Sequence, residues 1–248
     1  MPTDKEKQLQ KILEKNHYKE NYKPPANQVV FKIEGKNIGS LGNFIVFSGL
    51  PKAGKSQFLH AFISSALSGI NVLDLEVNRL KNTIALFDTE SNEYDFYQNL
   101  ENIQNLSGMK IPDYFHAFRM REETPTVNRD VITYYIENFK SKIIIIDGFL
   151  DLIDNYNDER ESRFLVNWLK YITSKYKCLI VGVIHLGKKD NHTLGHFGSM
   201  IDRYAQSVLE VIKDKDNGTF DLKAKMLRSA ADFTPIRAIR QGDRIYKI

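Results

Sequence analysis

Apolar residues along this chain fall into two alternating patterns. Short runs such as "NFIVFS", "TIALF", "IIII" and "CLIVGVI" predict buried strands over 43–48, 82–88, 142–147 and 178–184, with another at 114–119. Between them, apolar positions recur every three or four residues and predict helices over 55–68, 92–106, 127–140 and 158–176. Strands alternating with helices of this length need right-handed crossovers. They build a mostly parallel twisted sheet with helices on both faces, so the expected class is α/β.

The two ends depart from this rhythm. Segment 4–20 has helical spacing but a thin apolar stripe of Leu9, Ile12 and Leu13, and Pro24 with Pro25 stops any helix soon after. The expected organisation is an N-terminal helix and linker over 1–27, then a single α/β domain over 28–248. That domain opens with a strand in "VVFKIEG" and a turn in "KNIGSLGN". Past residue 205 the pieces "QSVLEVIK", "TFDLKAKML", "PIRAIR" and "RIYKI" predict an antiparallel extension of one sheet edge.

Composition narrows the function class only slightly. The 248 residues, 42% apolar and 27% charged, are enough for a sizeable core. The single cysteine, Cys178, sits in an apolar run as a buried filler and excludes an internal disulfide, as expected of a cytoplasmic protein. No apolar stretch approaches the ~18 residues of a membrane span, and no signal-peptide pattern opens the chain, so no membrane partner is expected. The net charge of +4 is uneven: residues 1–23 carry six lysines against four acids, and 213–248 carry nine basic residues against five acids. Basic ends around a near-neutral middle are compatible with a nucleic-acid partner.

The chemistry concentrates where predicted strands end. "FSGLPKAGKSQF" joins a strand to a helix with the spacing of a phosphate-binding loop: Gly49, then Leu50, Pro51, Lys52 and Ala53, then Gly54, Lys55, Ser56 and Gln57. The glycines let successive backbone N–H groups face one anion, Lys55 reaches the terminal phosphates, and the Ser56 hydroxyl ligates Mg²⁺. The expected ligands are ATP and Mg²⁺. A second metal-side residue, Asp147, ends the isoleucine strand, where ligands gather in open α/β sheets. A third strand ends in "FDTE", where Glu90 is the candidate to orient and deprotonate the attacking water, with Asp88 as the runner-up. A fourth ends at His185, placed to sense the γ-phosphate and relay its loss to the following loop.

These stretches together resemble the RecA-like ATPases, the class of recombinases and of RepA- and DnaB-like hexameric helicases. Closest are the small bacterial members carried by mobile elements. The resemblance rests on "GLPKAGKS", "FDTE", "IIIIDGFLDLIDNYND", "VIHLGKKDN" and "GHFGSMIDRYAQSVLEVIKD", and covers residues from about 40 to 236. It implies a RecA-like fold and a homo-oligomer, a hexamer foremost. It also implies single-stranded DNA and mobile-element replication or transfer proteins as partners, and a lysine or arginine reaching the neighbouring subunit's nucleotide. Lys225 and Arg228 look like those positions. Where members often carry an arginine before a glycine of the last stretch, this chain has Leu194 before Gly195.

The segment "KKDNHTLGHFGS" suits a mobile loop, with Gly195 and Gly198 as flexible points, Lys188 and Lys189 for phosphates, and Phe197 to stack or pack. Alternation in "FDLKAKML" puts Leu222, Ala224 and Met226 on one face of a strand and Lys223 and Lys225 on the other. The expected activity is ATP hydrolysis coupled to nucleic-acid remodelling or translocation. The alternatives are an ATP-gated assembly switch and, third, a small-molecule kinase.

Overall fold

Ile143–Ile146 are buried on both sides: Ile143 and Ile145 face one apolar core, Ile144 and Ile146 the other. A strand with no polar face must be covered twice, and this requirement organises the molecule. The computed structural model describes residues 3–187, 195–242 and 244–248. In chain order the elements are α1 (Asp4–Asn16), β1 (Val29–Ile33), β2 (Lys36–Ser40), β3 (Asn43–Gly49), α2 (Lys55–Ser68), β4 (Leu75–Val77), β5 (Ile84–Asp88) and α3 (Glu93–Ser107). There follow β6 (Phe115–Arg119), α4 (Pro125–Phe139), β7 (Ile143–Asp147), α5 (Glu159–Tyr176), β8 (Leu179–His185) and α6 (Gly195–Tyr204). Four strands complete the chain: β9 (Ser207–Asp214), β10 (Thr219–Leu227), β11 (Ile236–Gln241) and β12 (Arg244–Lys247).

Among the described residues the large sheet has nine strands in the order β12-β11-β10-β9-β3-β8-β7-β5-β6. From β9 to β6 every pairing is parallel, and from β9 outward to β12 every pairing is antiparallel. Helices α2 and α3 cover one face, and α4, α5 and α6 cover the other. This is a RecA-like P-loop fold. Adjacent parallel strands finish together, with Gly49 beside His185 and Asp88 beside Asp147, so four chain segments deliver their polar ends to one crest.

The nine helices and parallel strands read from the pattern lie within two residues of their expected bounds. Four readings change. "KNIGS" is strand β2 rather than a turn. It pairs with β1 and, through β1, with β4 in a small three-stranded sheet. Its Ile38 is fully buried, and Gly39 lets the Leu179 side chain approach the backbone, which a turn reading of Gly and Asn overlooks. Residues 195–199, expected to end a mobile loop, instead open helix α6, because Phe197 and Ile201, four residues apart, both drop into the core. Phe197 therefore packs rather than stacks on a base. Lys188, Lys189 and Leu194 lie outside the described residues. In β10 the pairing with β9 shifts between Ala224 and Met226, so the alternation breaks and Met226 is 46% exposed. Finally, β9 still runs parallel to β3, and the antiparallel extension starts one strand later than expected.

The N-terminal helix forms with a Thr3–Glu6 capping box but buries none of its residues, and Leu13 is 72% exposed. No helix among the described residues is long and apolar enough to cross a membrane.

Just past β7, Phe149 turns inward and packs its ring against Gly182 of β8; a Cβ there would stand 2.1 Å from the ring. This contact seats the turn that carries Asp147. Gly182→Ala is expected to lower unfolding stability by roughly 1–3 kcal/mol through overpacking, measured by urea denaturation. A wild-type midpoint would show that the ring has room to move.

Candidate active site

β3 is apolar up to Ser48, and the chain then curls through Leu50–Ala53 before α2 begins. The turn closes with Ala53 N–H donating to the Leu50 carbonyl at 3.1 Å. Gly54 stands at φ +93°, a left-handed conformation in which a Cβ would also strike the Phe220 ring at 2.5 Å. Gly49 has no room for a side chain either, since a Cβ would meet the Val211 carbonyl oxygen at 2.5 Å. The two glycines of the motif are thus required by their neighbours as well as by any ligand.

Lys55, 5% exposed, folds back over the loop. Its ammonium donates to the carbonyls of Gly49 (3.0 Å) and Leu50 (2.9 Å) and lies 3.0 Å from His185 Nδ1. An ammonium can only donate, so Nδ1 accepts and the ring's proton sits on Nε2. That nitrogen points at Glu90 Oε1, 3.3 Å away. Lys55, His185 and Glu90 form one chain of hydrogen bonds across three strand ends. Burial pushes the Lys55 ammonium down to about 8, partly opposed by the charges of Glu90 and Asp147. Glu90 is held below the usual carboxylate range, chiefly by its hydrogen bond with His185.

Asp147, 7% exposed, moves the other way. Burial first, then the neighbouring charges of Asp88 and Glu90, push its carboxyl up to about 8. Asp88 has a different job: its Oδ1 accepts from the N–H groups of Glu90 (3.1 Å) and Ser91 (2.8 Å), shaping the turn that presents Glu90. Of the two carboxylates of this strand end, Glu90 lines the cleft and Asp88 does not. Thr89 completes the junction: its hydroxyl donates to Asp151 Oδ2 at 2.7 Å and its backbone N–H to the Asp147 carbonyl at 3.0 Å.

The loop, Glu90, Asp147 and His185 line one cleft of 480 Å³, a volume suited to a nucleotide. Ser56 and Gln57 line it as well. A hydroxyl and a carboxylate suit Mg²⁺, which takes one or two protein oxygens and completes its shell with phosphate and water. Ser56 and Asp147 are the residues that would hold it.

Lys225 and Arg228 are not part of this cleft. Lys225 pairs with Asp202 of α6 at 2.8 Å, and Arg228 donates to the Arg203 carbonyl of the same helix. The antiparallel register places Thr219 beside Asp214 but Leu227 beside Ser207, so this end of β10 lies at the opposite edge of the sheet from the chain's own loop. Besides Val183 of β8, three cleft residues of the C-terminal strands escaped the sequence reading: Lys213, Phe220 and Arg240. Their spacing carries no motif, and only the pairing of β9, β10 and β11 brings them together.

Residues 32–191, more than half of the chain, match the family model described as an AAA domain. No curated protein matches the chain.

Because the Asp147 carboxyl titrates well above its ordinary 3.8 in the folded protein, the folded state keeps a proton that the unfolded chain releases. The carboxyl therefore costs stability increasingly as pH rises from about 4 to about 8. Asp147→Asn is expected to stabilise the nucleotide-free protein by roughly 1–3 kcal/mol at pH 8 and by less at pH 5. Thermal unfolding at the two pH values measures this, and equal or lower stability at pH 8 would contradict the assignment.

Proposed function

The chain belongs to the AAA domain family of P-loop ATPases, and we propose that it hydrolyses ATP with Mg²⁺ and couples the reaction to remodelling or translocating nucleic acid. The observation that carries the hydrolytic part is the hydrogen-bond chain from Lys55 through His185 to Glu90, laid beside the loop and Asp147.

Each residue's task follows from its chemistry. The loop's N–H groups and the start of α2 bind the phosphates. Lys55 turns from its carbonyls and His185 to the terminal phosphates, which are stronger acceptors for an ammonium held out of water. His185 is thereby freed at Nδ1 and reports occupancy of the loop. Glu90, kept ionised by the Nε2–H of His185, accepts the proton of the attacking water. Mg²⁺, held by Ser56 and Asp147, would neutralise charge on the phosphates.

Lys225 and Arg228 support action between subunits. They stand far from the chain's own cleft, and one helix, α6, holds both. In a ring such as a hexamer they would reach the neighbouring copy's γ-phosphate. For nucleic acid the support is the basic ends of the chain and the RecA-like resemblance, with single-stranded DNA and mobile-element replication or transfer proteins as the partner class. A second reading, an ATP-gated assembly switch without motor activity, draws support from Phe197: of the two roles open to it, stacking or packing, its full burial leaves packing.

Lys55→Ala is expected to abolish turnover with unchanged circular dichroism, whereas Glu90→Gln keeps ATP binding and loses ~10²-fold or more in hydrolysis. Normal turnover by Glu90→Gln with loss in Asp88→Asn would reverse the two carboxylates. Stimulation of phosphate release by single-stranded DNA separates the motor from the switch, which would show nucleotide-dependent assembly alone.

Arg228→Ala is expected to lower the rate by roughly 10³–10⁵, the effect of a trans-acting cation. Mixed with Lys55→Ala it should recover part of the activity, because some interfaces then combine an intact loop with an intact Arg228. Freely exchanging subunits that show no recovery would rule out action in trans.

A further inference from the structure

The cleft has two unlike ends. Glu90, Asp147 and His185 stand at the ends of β5, β7 and β8, on one side of β3. Across β3, the other end is lined by Lys213 of β9, Phe220 of β10 and Arg240 of β11. The loop lies between. A nucleoside triphosphate whose terminal phosphate meets the Glu90–His185 end must send its nucleoside toward the β9–β11 end.

That end is built by strand register. Lys213 and Ala238 both pair with Phe220, so all three side chains share a face, and Arg240, two residues along β11 from Ala238, joins them. Phe220 is 7% exposed and supports Gly54 from below, which ties this face to the phosphate loop itself. The Lys213 ammonium sits 5.4 Å from the Phe220 ring centroid, a cation–π distance. Arg240 donates from Nε to the Gly242 carbonyl at 2.8 Å, which orients its guanidinium at the cleft's edge. All three residues lie beyond the matched span 32–191.

We infer that the C-terminal extension carries the nucleoside subsite of this cleft: the planar guanidinium of Arg240 stacks on the base, and Lys213, held over Phe220, donates to the ribose hydroxyls. The inference rests on the phosphate-loop reading above and assigns the half of the ligand which that reading leaves open. A guanidinium suits the task because it is flat, permanently charged and weakly hydrated, whereas an ammonium offers no plane to stack.

The test is calorimetric binding of Mg-ATP and of Mg-tripolyphosphate, which has the phosphates and no nucleoside, to the full chain. Wild-type protein should bind ATP the more tightly. Arg240→Ala should raise the ATP Kd about tenfold and Lys213→Ala about threefold, in line with cation–π contacts at part-exposed sites. Tripolyphosphate affinity should stay within about twofold in both. Arg240→Lys, which keeps the charge and loses the plane, should behave as Arg240→Ala. Equal weakening of both ligands would make these residues phosphate contacts and overturn the inference, as would unchanged ATP binding. Loss of both ligands in Lys55→Ala tests the loop separately. A wild-type chain that binds tripolyphosphate as tightly as ATP would sink the nucleoside subsite and leave the loop reading standing. Wild-type binding of neither ligand would sink both.

Discussion

A buried ammonium and a buried carboxyl, both driven by desolvation toward their neutral forms, define the centre of this molecule. Lys55 comes down to about 8 and Asp147 goes up to about 8. Neither can be satisfied by the other alone, since Asp147 also sits near Asp88 and Glu90. In the proposed function a triphosphate with Mg²⁺ would bring anionic oxygens for the ammonium and a cation for the carboxylate. Placing these two groups together costs stability, which on the proposed reading the ligand would return, as in sites built to bind rather than to stabilise.

The parallel sheet is what makes such crowding possible. Strands buried on both faces leave polar groups no place except their ends, and pairwise register, Gly49 with His185 and Asp88 with Asp147, brings those ends to one crest. Gly49, His185, Asp147 and Asp88 are neighbours for this reason, although they come from segments separated by long helices. Gly182 contributes by its emptiness, since the Phe149 ring fills the space a side chain would take and steadies the turn after Asp147.

The parts of this design that depend on local pattern were legible in the sequence. An unbroken isoleucine run, a glycine–lysine–serine loop and a glutamate two residues past a strand end declare themselves without three-dimensional context. What escaped depends on pairing between distant segments. β2 looked like a turn because Leu179, which packs on Gly39, and Gln206, which bonds Ser40, are both more than a hundred residues away. Residues 195–199 looked like the end of a loop because their two glycines mask helical spacing that only burial of Phe197 and Ile201 reveals. The bulge that exposes Met226, and the face shared by Lys213, Phe220 and Arg240, are matters of register, which no single strand encodes.

β10 gathers these threads. One of its ends places Phe220 beneath the chain's own phosphate loop; at the other, Lys225 and Arg228 are anchored to α6. A strand of nine residues spans roughly 30 Å, and pairing on both sides along part of its length makes it stiff. In the proposed ring this single element would run from one nucleotide site toward the next. α6 begins ten residues after His185, so in the proposed ring the strand end that would sense the first site precedes in the chain the helix whose contacts hold Lys225 and Arg228. In that ring, coupling between sites would need no long relay: a shift of α6 against the end of β10 would move the carbonyl that holds Arg228, and the pairing of Lys225 with Asp202 would resist it.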